Sequence, residues 1–391
     1  MATRTTTTSR ITIGPAPSAA YDAKTADFSF EELVQAYFDC RRTKRNSTTA
    51  LTFEVNLERN LYDLDEELRG SSYTPGRSIC FVVTHPKARE VWAADFRDRI
   101  VHHLLFNRIA PRFHRSFIPD SCACIKGRGT MYAVRRLEGM VRSQTQNWSR
   151  PGYYLKCDLA NFFVTIDKHV LAAQIAAKVS EPWWLNLADT ILWHDPRKNY
   201  EFRGSESDIE RVPHHKRLTS QPEHLGLPIG NLSSQFFANI FLNALDQYCK
   251  HQLRARHYVR YVDDFVILSE SKDYLNDCLR QIAAFLPERL HVRLNPKKTI
   301  LQPIDRGIDF VGQVIKPWHT TTRRKTVNHA VSAIRRAEPM EAYKSANSYF
   351  GLLRQASANH HDRSRLARAI LKRGLVVDGG FTKAFKPKEA A

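Results

Sequence analysis

Two adjacent carboxylates lie inside an apolar stretch of this chain. Asp263 and Asp264 follow Tyr261-Val262 in the middle of segment 258–268, which is otherwise rich in β-branched and aromatic residues. This pattern predicts a β-hairpin whose two strands lie in a core. Because burial of a carboxylate is costly unless it is paired or binds a cation, two acids at the tip indicate a metal site. An Asp-Asp turn that faces water is the alternative.

A third carboxylate follows a similar stretch upstream. Asp158 ends the strand-like segment 153–157, and a helical pattern over 168–179 comes after it. One aspartate from a strand and two from a hairpin can hold two Mg²⁺ ions, with Mn²⁺ as an alternative, because hard cations take carboxylate oxygens and keep waters and substrate phosphates as further ligands. Two metal ions can activate an attacking oxygen and stabilise a leaving oxygen in an in-line phosphoryl transfer.

The charge of the chain indicates a polyanionic partner. Its 391 residues carry a formal net charge of +19, and the sequence pI is about 9.7. The most direct partner for such a charge is nucleic acid. An anionic membrane surface is the weaker alternative, because no strongly amphipathic basic helix is evident. No apolar run reaches the length that crosses a membrane, so we expect no membrane partner.

The seven cysteines are scattered and odd in number. Together with the lack of a signal peptide, this usage predicts reduced thiols and a cytoplasmic location. Cys122 and Cys124 form the closest pair. No second Cys/His pair follows at zinc-site spacing, so we interpret them as structural.

The remaining elements follow from periodicity and turn residues. Residues 1–25 are rich in Thr, Ser, Ala and Pro and predict a flexible lead-in, and Ser29 is the predicted N-cap of the first helix. The polar segment 195–223 predicts irregular structure. The other predicted elements are helices over 54–68, 89–110, 236–252 and 326–373, a turn and strand over 71–84, a turn leading into a strand at 294–299, and a hairpin over 308–315.

A Gly-rich basic loop over 121–130 precedes another predicted helix. Such loops suit phosphates, because exposed backbone N–H groups and flanking cations meet there. A plain turn is the alternative.

Five motifs occur in a fixed order along the chain. They are the Asp158 strand, Leu227-Pro228-Ile229-Gly230-Asn231-Leu232-Ser233-Ser234-Gln235, Tyr261-Val262-Asp263-Asp264, Leu294-Asn295-Pro296-Lys297-Lys298-Thr299 and Phe310-Val311-Gly312. In this order the set resembles the reverse transcriptases over residues 28–375. The five look like the first palm motif, the template-and-nucleotide motif, the catalytic hairpin, the lysine motif and the primer grip.

Two positions point to a subclass. Most retron and group II intron enzymes carry Gln before the motif glycine and Ser-Pro at the end of the motif, whereas this chain has Ile229 and Ser234-Gln235. In this it is similar to the enzymes of diversity-generating retroelements. Segments 86–90 and 98–103 also look like that group and its unassigned bacterial relatives, some of which serve in antiphage defence.

The resemblance implies an α+β fold of the right-hand polymerase type, with an antiparallel sheet in the palm and a short helical thumb. The fingers would span 26–150 and the palm 151–315, with a polar fingers-side insertion at about 195–223. The thumb and C-terminal tail would span 316–391.

The resemblance also implies the roles of single residues. Asp158, Asp263 and Asp264 would hold two Mg²⁺ ions, and Lys297 or Lys298 would donate a proton to the pyrophosphate. The implied substrate contacts are Lys126, Arg128, Phe163, Ile229, Gly230 and Gln235. Lys126 and Arg128 would contact the triphosphate. Phe163 would exclude the 2′-OH of a ribonucleotide, with ordinary core packing as the alternative.

The expected activity is RNA-directed DNA synthesis from dNTPs on an RNA template, with a DNA or RNA primer. The expected setting is a diversity-generating retroelement, whose partner would be a small basic accessory protein. An antiphage system that uses a structured noncoding RNA is the alternative. A catalytically inactive nucleic-acid-binding scaffold is a further alternative, and the intact acids argue against it. An RNA-dependent RNA polymerase is another, and Phe163 argues against that one.

Overall fold

The computed structural model describes residues 26–42, 44, 47–84 and 87–386, so the predicted lead-in over 1–25 lies outside the described residues. The helices in this part of the chain are α1 Phe30–Arg41, α2 Thr48–Val55, α3 Leu57–Arg69, α4 Phe96–His114, α5 Thr130–Gln144, α6 Phe162–Thr165, α7 Lys168–Ala176, α8 Pro182–Trp193, α9 Glu206–Glu210, α10 Leu232–Gln247, α11 Lys272–Leu290, α12 Arg324–Arg336, α13 Pro339–Leu353 and α14 His360–Leu371.

The strands are β1 Ser78–Val83, β2 Arg89–Ala93, β3 Tyr153–Asp158, β4 Tyr200–Arg203, β5 His257–Tyr261, β6 Asp264–Ser269, β7 Ile300–Pro303, β8 Ile308–Phe310, β9 Gln313–Lys316, β10 His319–Thr322, β11 Val376–Val377 and β12 Ala384–Phe385. Helices and mostly antiparallel sheets make an α+β fold, as the resemblance implied.

A four-stranded antiparallel sheet in the order β5-β6-β3-β7 carries the acids. Side chains of a strand alternate between the two faces of a sheet. Leu155 and Cys157 therefore lie in one core, which α11 also lines, whereas Tyr154 lies in a second core lined by α5. Both faces are covered, which explains why the strands read as continuous apolar runs.

Near the N-terminus, one helical prediction is confirmed and two are corrected. Ser29 caps α1 in a capping box with Glu32. The predicted helix over 54–68 is interrupted at Asn56, where the backbone leaves the helical region between α2 and α3. The predicted helix over 89–110 begins only at Phe96, because residues 89–93 pair with β1 as strand β2 and Asp95 caps α4.

The polar insertion is ordered, which corrects the irregular structure predicted for 195–223. Its strand β4 pairs with β1 in parallel and completes a sheet in the order β2-β1-β4. The buried carboxylate of Glu90 on β2 accepts a hydrogen bond from the Leu218 backbone N–H at 2.8 Å. The polar segment is ordered because the edge of strand β1 and the buried carboxylate of Glu90 satisfy hydrogen-bonding groups of its backbone.

The C-terminal part has its own core. Helices α12, α13 and α14 pack on one another, and Phe350 and Leu353 are completely buried among them. The predicted helical character of 326–373 is thus confirmed. The long helix predicted over 236–252 begins four residues earlier, at Leu232, and its last turn is π-helical over Tyr248–Gln252. The predicted division into fingers, palm and thumb stays a prediction.

Candidate active site

The three predicted aspartates meet at one end of the main sheet. The register of β3 and β6 places Asp158 directly opposite Asp264. The backbone N–H of Leu159 donates to the carbonyl of Asp263 at 3.3 Å, which ties the hairpin turn to the end of β3. The residues between β5 and β6 are Val262 and Asp263, so the predicted hairpin is confirmed, with the acids at its tip.

Burial raises the pKa of two of these carboxyls. For Asp263 the cause is burial first and the charge of Asp158 second. For Asp264 burial raises the pKa to about 6, even though the ammonium of Lys156 opposes this shift. The site therefore favours a bound cation or a proton on these groups.

Two lysines balance part of this negative charge. The Nζ atom of Lys298 lies 2.6 Å from Asp158 Oδ2, and the Nζ atom of Lys156 lies 3.2 Å from Asp264 Oδ2. Lys156 also donates to the carbonyl of Asp309 at 2.6 Å. The lysine motif is held in place by the backbone N–H of Asn295, which donates to the carbonyl of Asp158 at 2.8 Å.

The donor set fits a hard cation, although the side chains are not gathered around a single point. No group of three His, Cys, Asp or Glu side chains within the described ranges has metal-ligand spacing. The Oδ1 atom of Asp264, however, is buried without a hydrogen-bond partner. A buried carboxylate oxygen left unpaired is costly, and a cation would satisfy it.

Phe163 lies close to the acids along the chain and close to the template-and-nucleotide motif in space. It is half-buried against the main core, and its carbonyl accepts from the backbone N–H of Leu227 at 2.8 Å. Its neighbour Phe162 is buried. Phe163 is thus partly packed in the core and partly exposed, and its contact with the nucleotide sugar stays a prediction.

The motif residues Ile229 and Gly230 dock on strand β2. The carbonyl of Ile229 accepts from the backbone N–H of Trp92 at 2.7 Å. A Cβ atom at Gly230 would lie 2.9 Å from Val91 Cγ1 and 3.0 Å from the Trp92 carbonyl oxygen, and φ of Gly230 is +132°. Only glycine fits this close approach without strain.

The Gly-rich loop lines a cavity that is separate from the three aspartates. Lys126, Arg128 and Gln235 line one open cavity of about 840 Å³, which is bounded by α5 and the start of α10. None of the three aspartates is among the described residues that line it. The guanidinium of Arg128 donates to the carbonyls of Ile118 and Ser121 at 2.7 and 3.4 Å, so it supports its own loop.

Two cations near the aspartates were missed by the sequence analysis. Lys87 and Arg89 lie at the connection of β1 and β2. The charge of Lys298 is the largest cause that lowers the pKa of Lys87, and burial, Lys216 and Arg89 act in the same direction. Arg89 also opposes the raised pKa of Asp263. In the sequence, the feature that marks these two cations is a pair of basic residues beside the turn between β1 and β2. The prediction of a helix over 89–110 obscured that turn.

The described residues of the chain include no helix that is long and apolar enough to cross a membrane. All seven cysteines are free thiols. Cys122 is buried, which agrees with the predicted structural role, whereas Cys124 is exposed and lines the open cavity, so the same role stays a prediction there.

Comparisons with known proteins show which family the chain belongs to. The family model described as reverse transcriptase (RNA-dependent DNA polymerase) matches residues 85–315. No curated relative matches the chain in sequence. A solved structure of apo telomerase from Candida tropicalis, truncated from its C-terminal domain, is similar at 12% identity and a TM-score of 0.46, over 64% of this chain and 55% of that one.

Telomerase from Candida albicans in complex with the TWJ fragment of telomeric RNA is similar at 14% identity and a TM-score of 0.43, over 76% of this chain and 54% of that one. The chain spans about half the length of these two proteins. The family model covers more than half of the 391 residues. The chain therefore belongs to the reverse transcriptase family, the RNA-dependent DNA polymerases.

Proposed function

We propose that this reverse transcriptase extends a DNA or RNA primer along an RNA template, with Asp158, Asp263 and Asp264 as the catalytic carboxylates. The observation that carries the proposal is the register that sets Asp158 opposite Asp264 at the tip of the catalytic hairpin. Lysines on two sides of these acids, and the net charge of +19, suit a polyanionic template and a triphosphate substrate.

The three carboxylates would hold Mg²⁺, with Mn²⁺ as a substitute. The bound ions would supply the positive charge that activates a primer hydroxyl and stabilises the pyrophosphate. The unpaired Oδ1 atom of Asp264 supports this assignment, because it is a hard oxygen donor with no protein partner. The lysine contacts hold the carboxylates of Asp158 and Asp264 in place before substrates bind, and the Lys156 ammonium opposes the rise in pKa that burial causes at Asp264.

Lys298 is our candidate for the general acid. Its ammonium lies at the carboxylate cluster and could give a proton to the leaving pyrophosphate, whereas Lys297 forms no ion pair within the described residues. Proton donation at a developing negative charge lowers the barrier of such a step. The charge of Asp158 acts on Lys87, and the charge of Arg89 acts on Asp263, so these two cations are our candidates to hold the triphosphate.

The cavity beside the Gly-rich loop would take the template strand rather than the triphosphate. It offers the ammonium of Lys126 and the guanidinium of Arg135 for phosphates, the ring of Tyr132 for stacking, and the amide of Gln235 for hydrogen bonds. A basic surface with aromatic rings is the usual arrangement for single-stranded nucleic acid.

We place the enzyme in a diversity-generating retroelement, and Ile229 is the residue that motivates this assignment. A glutamine here could hydrogen-bond near the templating base or the incoming sugar, and an isoleucine cannot. Loss of such a polar contact costs about 1–3 kcal/mol of selectivity, which would lower fidelity. A small basic accessory protein is the partner we expect, and an antiphage system with a noncoding RNA is the second setting.

The test of activity is extension of a labelled primer by the purified chain with Mg²⁺. We expect incorporation of dNTPs on an RNA template, and no extension on that template would contradict the proposal. The test of the setting is the error spectrum of the cDNA from wild type and from Ile229→Gln on the same RNA. Fewer errors in the variant support the retroelement assignment, and equal spectra favour the antiphage setting.

A further inference from the structure

The guanidinium of Arg260 lies fully buried directly before the catalytic hairpin turn. Its side chain is 1% exposed, and that of its partner Asp246 is 0% exposed. Arg260 Nε lies 2.7 Å from Asp246 Oδ1, and Nη2 lies 2.6 Å from Oδ2, so the pair is bidentate. The Tyr258 hydroxyl donates to the same carboxylate at 2.6 Å. This ion pair fixes the orientation of the guanidinium plane.

The remaining donors of Arg260 reach three different segments. Nη1 donates to the carbonyl of Val262 at 2.9 Å and to Asn239 Oδ1 on α10 at 3.3 Å. Nη2 donates to Ser121 Oγ at 2.9 Å. One rigid fork with five donors can hold three segments in a fixed relation, and a lysine cannot.

Residues 120–123, which include the start of the Gly-rich loop, are bound along their length. The Arg260 backbone N–H donates to the carbonyl of Asp120, and the Cys122 N–H donates to the carbonyl of Arg260, both at 2.9 Å. Asn239 Nδ2 donates to the carbonyl of Ala123 at 2.7 Å. Residues 120–123, which continue into the wall of the open cavity at Cys124, are thus joined to the catalytic hairpin by the side chain and the backbone of Arg260 and by Asn239.

The backbone of Val262 needs such support. Its φ is +55°, in the left-handed region. A β-branched residue adopts this conformation only where surrounding contacts hold it there, and such residues cluster at functional sites. Val262 directly precedes Asp263, so its backbone conformation sets the position of that carboxylate.

We propose that Arg260 is a positioning residue that holds Val262 in its left-handed conformation and fixes the Asp263 turn to Ser121, at the start of the Gly-rich loop. This inference rests on the proposed function, because it assigns the turn to catalysis. Arg260 contacts no reacting atom. It affects catalysis only through its hydrogen bond to the carbonyl of Val262.

The test compares Arg260→Lys with Arg136→Lys. The first variant keeps a cation beside Asp246 and loses the fork. The second alters another arginine–aspartate pair, on Asp120, that does not contact the turn. We expect Arg260→Lys to lower kcat of single-nucleotide addition about 100-fold, the cost of a small misplacement, with unchanged primer–template Kd and nucleotide KM. Arg136→Lys is expected to match wild type.

A second substitution that restores activity to Arg260→Lys would distinguish a positioning role of Arg260 from a general contribution to folding. Adding Val262→Gly to Arg260→Lys is expected to recover about tenfold in kcat, because glycine adopts a positive φ without strain. Ser121→Ala, which removes one contact and no charge, is expected to give the same pattern on a smaller scale. If Arg260→Lys does not fold, the kcat of Ser121→Ala tests the positioning role of Arg260 instead.

The proposal is overturned if kcat of folded Arg260→Lys equals that of Arg136→Lys, or if Val262→Gly recovers nothing. Amide hydrogen exchange over residues 257–269 gives an answer that does not depend on activity. We expect faster exchange in Arg260→Lys than in Arg136→Lys, and equal exchange contradicts the positioning role. If wild type makes no cDNA, the proposed function fails, and the exchange measurement alone decides the role of Arg260.

Discussion

The ammonium of Lys298 lies 2.6 Å from the carboxylate of Asp158, whereas the neighbouring Lys297 forms no ion pair within the described residues. The two lysines are adjacent in the chain, so they form a matched pair for a test. We expect Lys298→Gln to lower the rate of nucleotide addition about 100-fold, a typical loss when a general acid is removed, and Lys297→Gln to have a small effect. Single-turnover kinetics measure both rates, and equal losses would remove the assignment to Lys298.

Lys87 is expected to bind the triphosphate. Because its charge lies near Lys298 and Asp158, Lys87→Gln should raise the KM for dNTPs about tenfold, which corresponds to loss of a charge-assisted contact. The affinity for primer–template should stay unchanged. Lys272→Gln, at the exposed start of α11, serves as the control for the loss of one positive charge. An unchanged KM in Lys87→Gln would exclude this role.

Phe163 is expected to select deoxyribonucleotides. Its half-buried ring lies where α6 meets the template-and-nucleotide motif, so Phe163→Val would open space for a 2′-OH with a small loss of packing. The measurement is the ratio of kcat/KM for a ribonucleotide and its deoxy counterpart. Phe162→Val, which alters the neighbouring buried ring, is the control for loss of packing. If the ratio changes equally in both variants, Phe163 only packs in the core and does not select the sugar.

The ion pair of Arg112 and Glu181 should make stability depend on pH. The guanidinium, 2.6 Å from the carboxylate, lowers the pKa of Glu181 from 4.5 to about 2. A lowered folded-state pKa contributes stability that is complete above pH 4.5 and is lost as the pH falls toward 2.

Glu181→Gln should therefore reduce the free energy of unfolding at pH 7 by about 1 kcal/mol, and by less than half of that at pH 3. Chemical denaturation at both values measures this difference. Glu288→Gln, at an exposed and distant ion pair, is the control. A deficit of the same size at both values would assign the effect to packing instead of charge.

Much of the site could be predicted because it is local in sequence. The hairpin of Asp263 and Asp264 and the capped helix at Ser29 depend on residues within a few positions of one another. Short-range patterns report such contacts directly. The meeting of Asp158 with the hairpin came from the order of motifs, because no local pattern reports a register between distant strands.

The features that could not be predicted from the sequence depend on contacts between segments that are distant in the chain. Strand β2 looks helical in sequence, and pairing with β1 decides its conformation, which is why Arg89 was assigned to a helix. Arg260 lies within an apolar strand pattern that does not indicate its partner, because Asp246 lies on helix α10. Strand pairing and buried ion pairs are set by tertiary contacts, and these override local preference.

The most direct test of the central claim is the rate of RNA-templated nucleotide addition by Asp263→Asn. The change removes one negative charge from the carboxylate cluster and leaves the basic surface intact. We expect the rate to fall below about 1% of wild type, since loss of charge at such a site raises the barrier by several kcal/mol. We also expect the Kd for primer–template to be unchanged. Extension by Asp263→Asn at a near wild-type rate would contradict the assignment of the catalytic carboxylates.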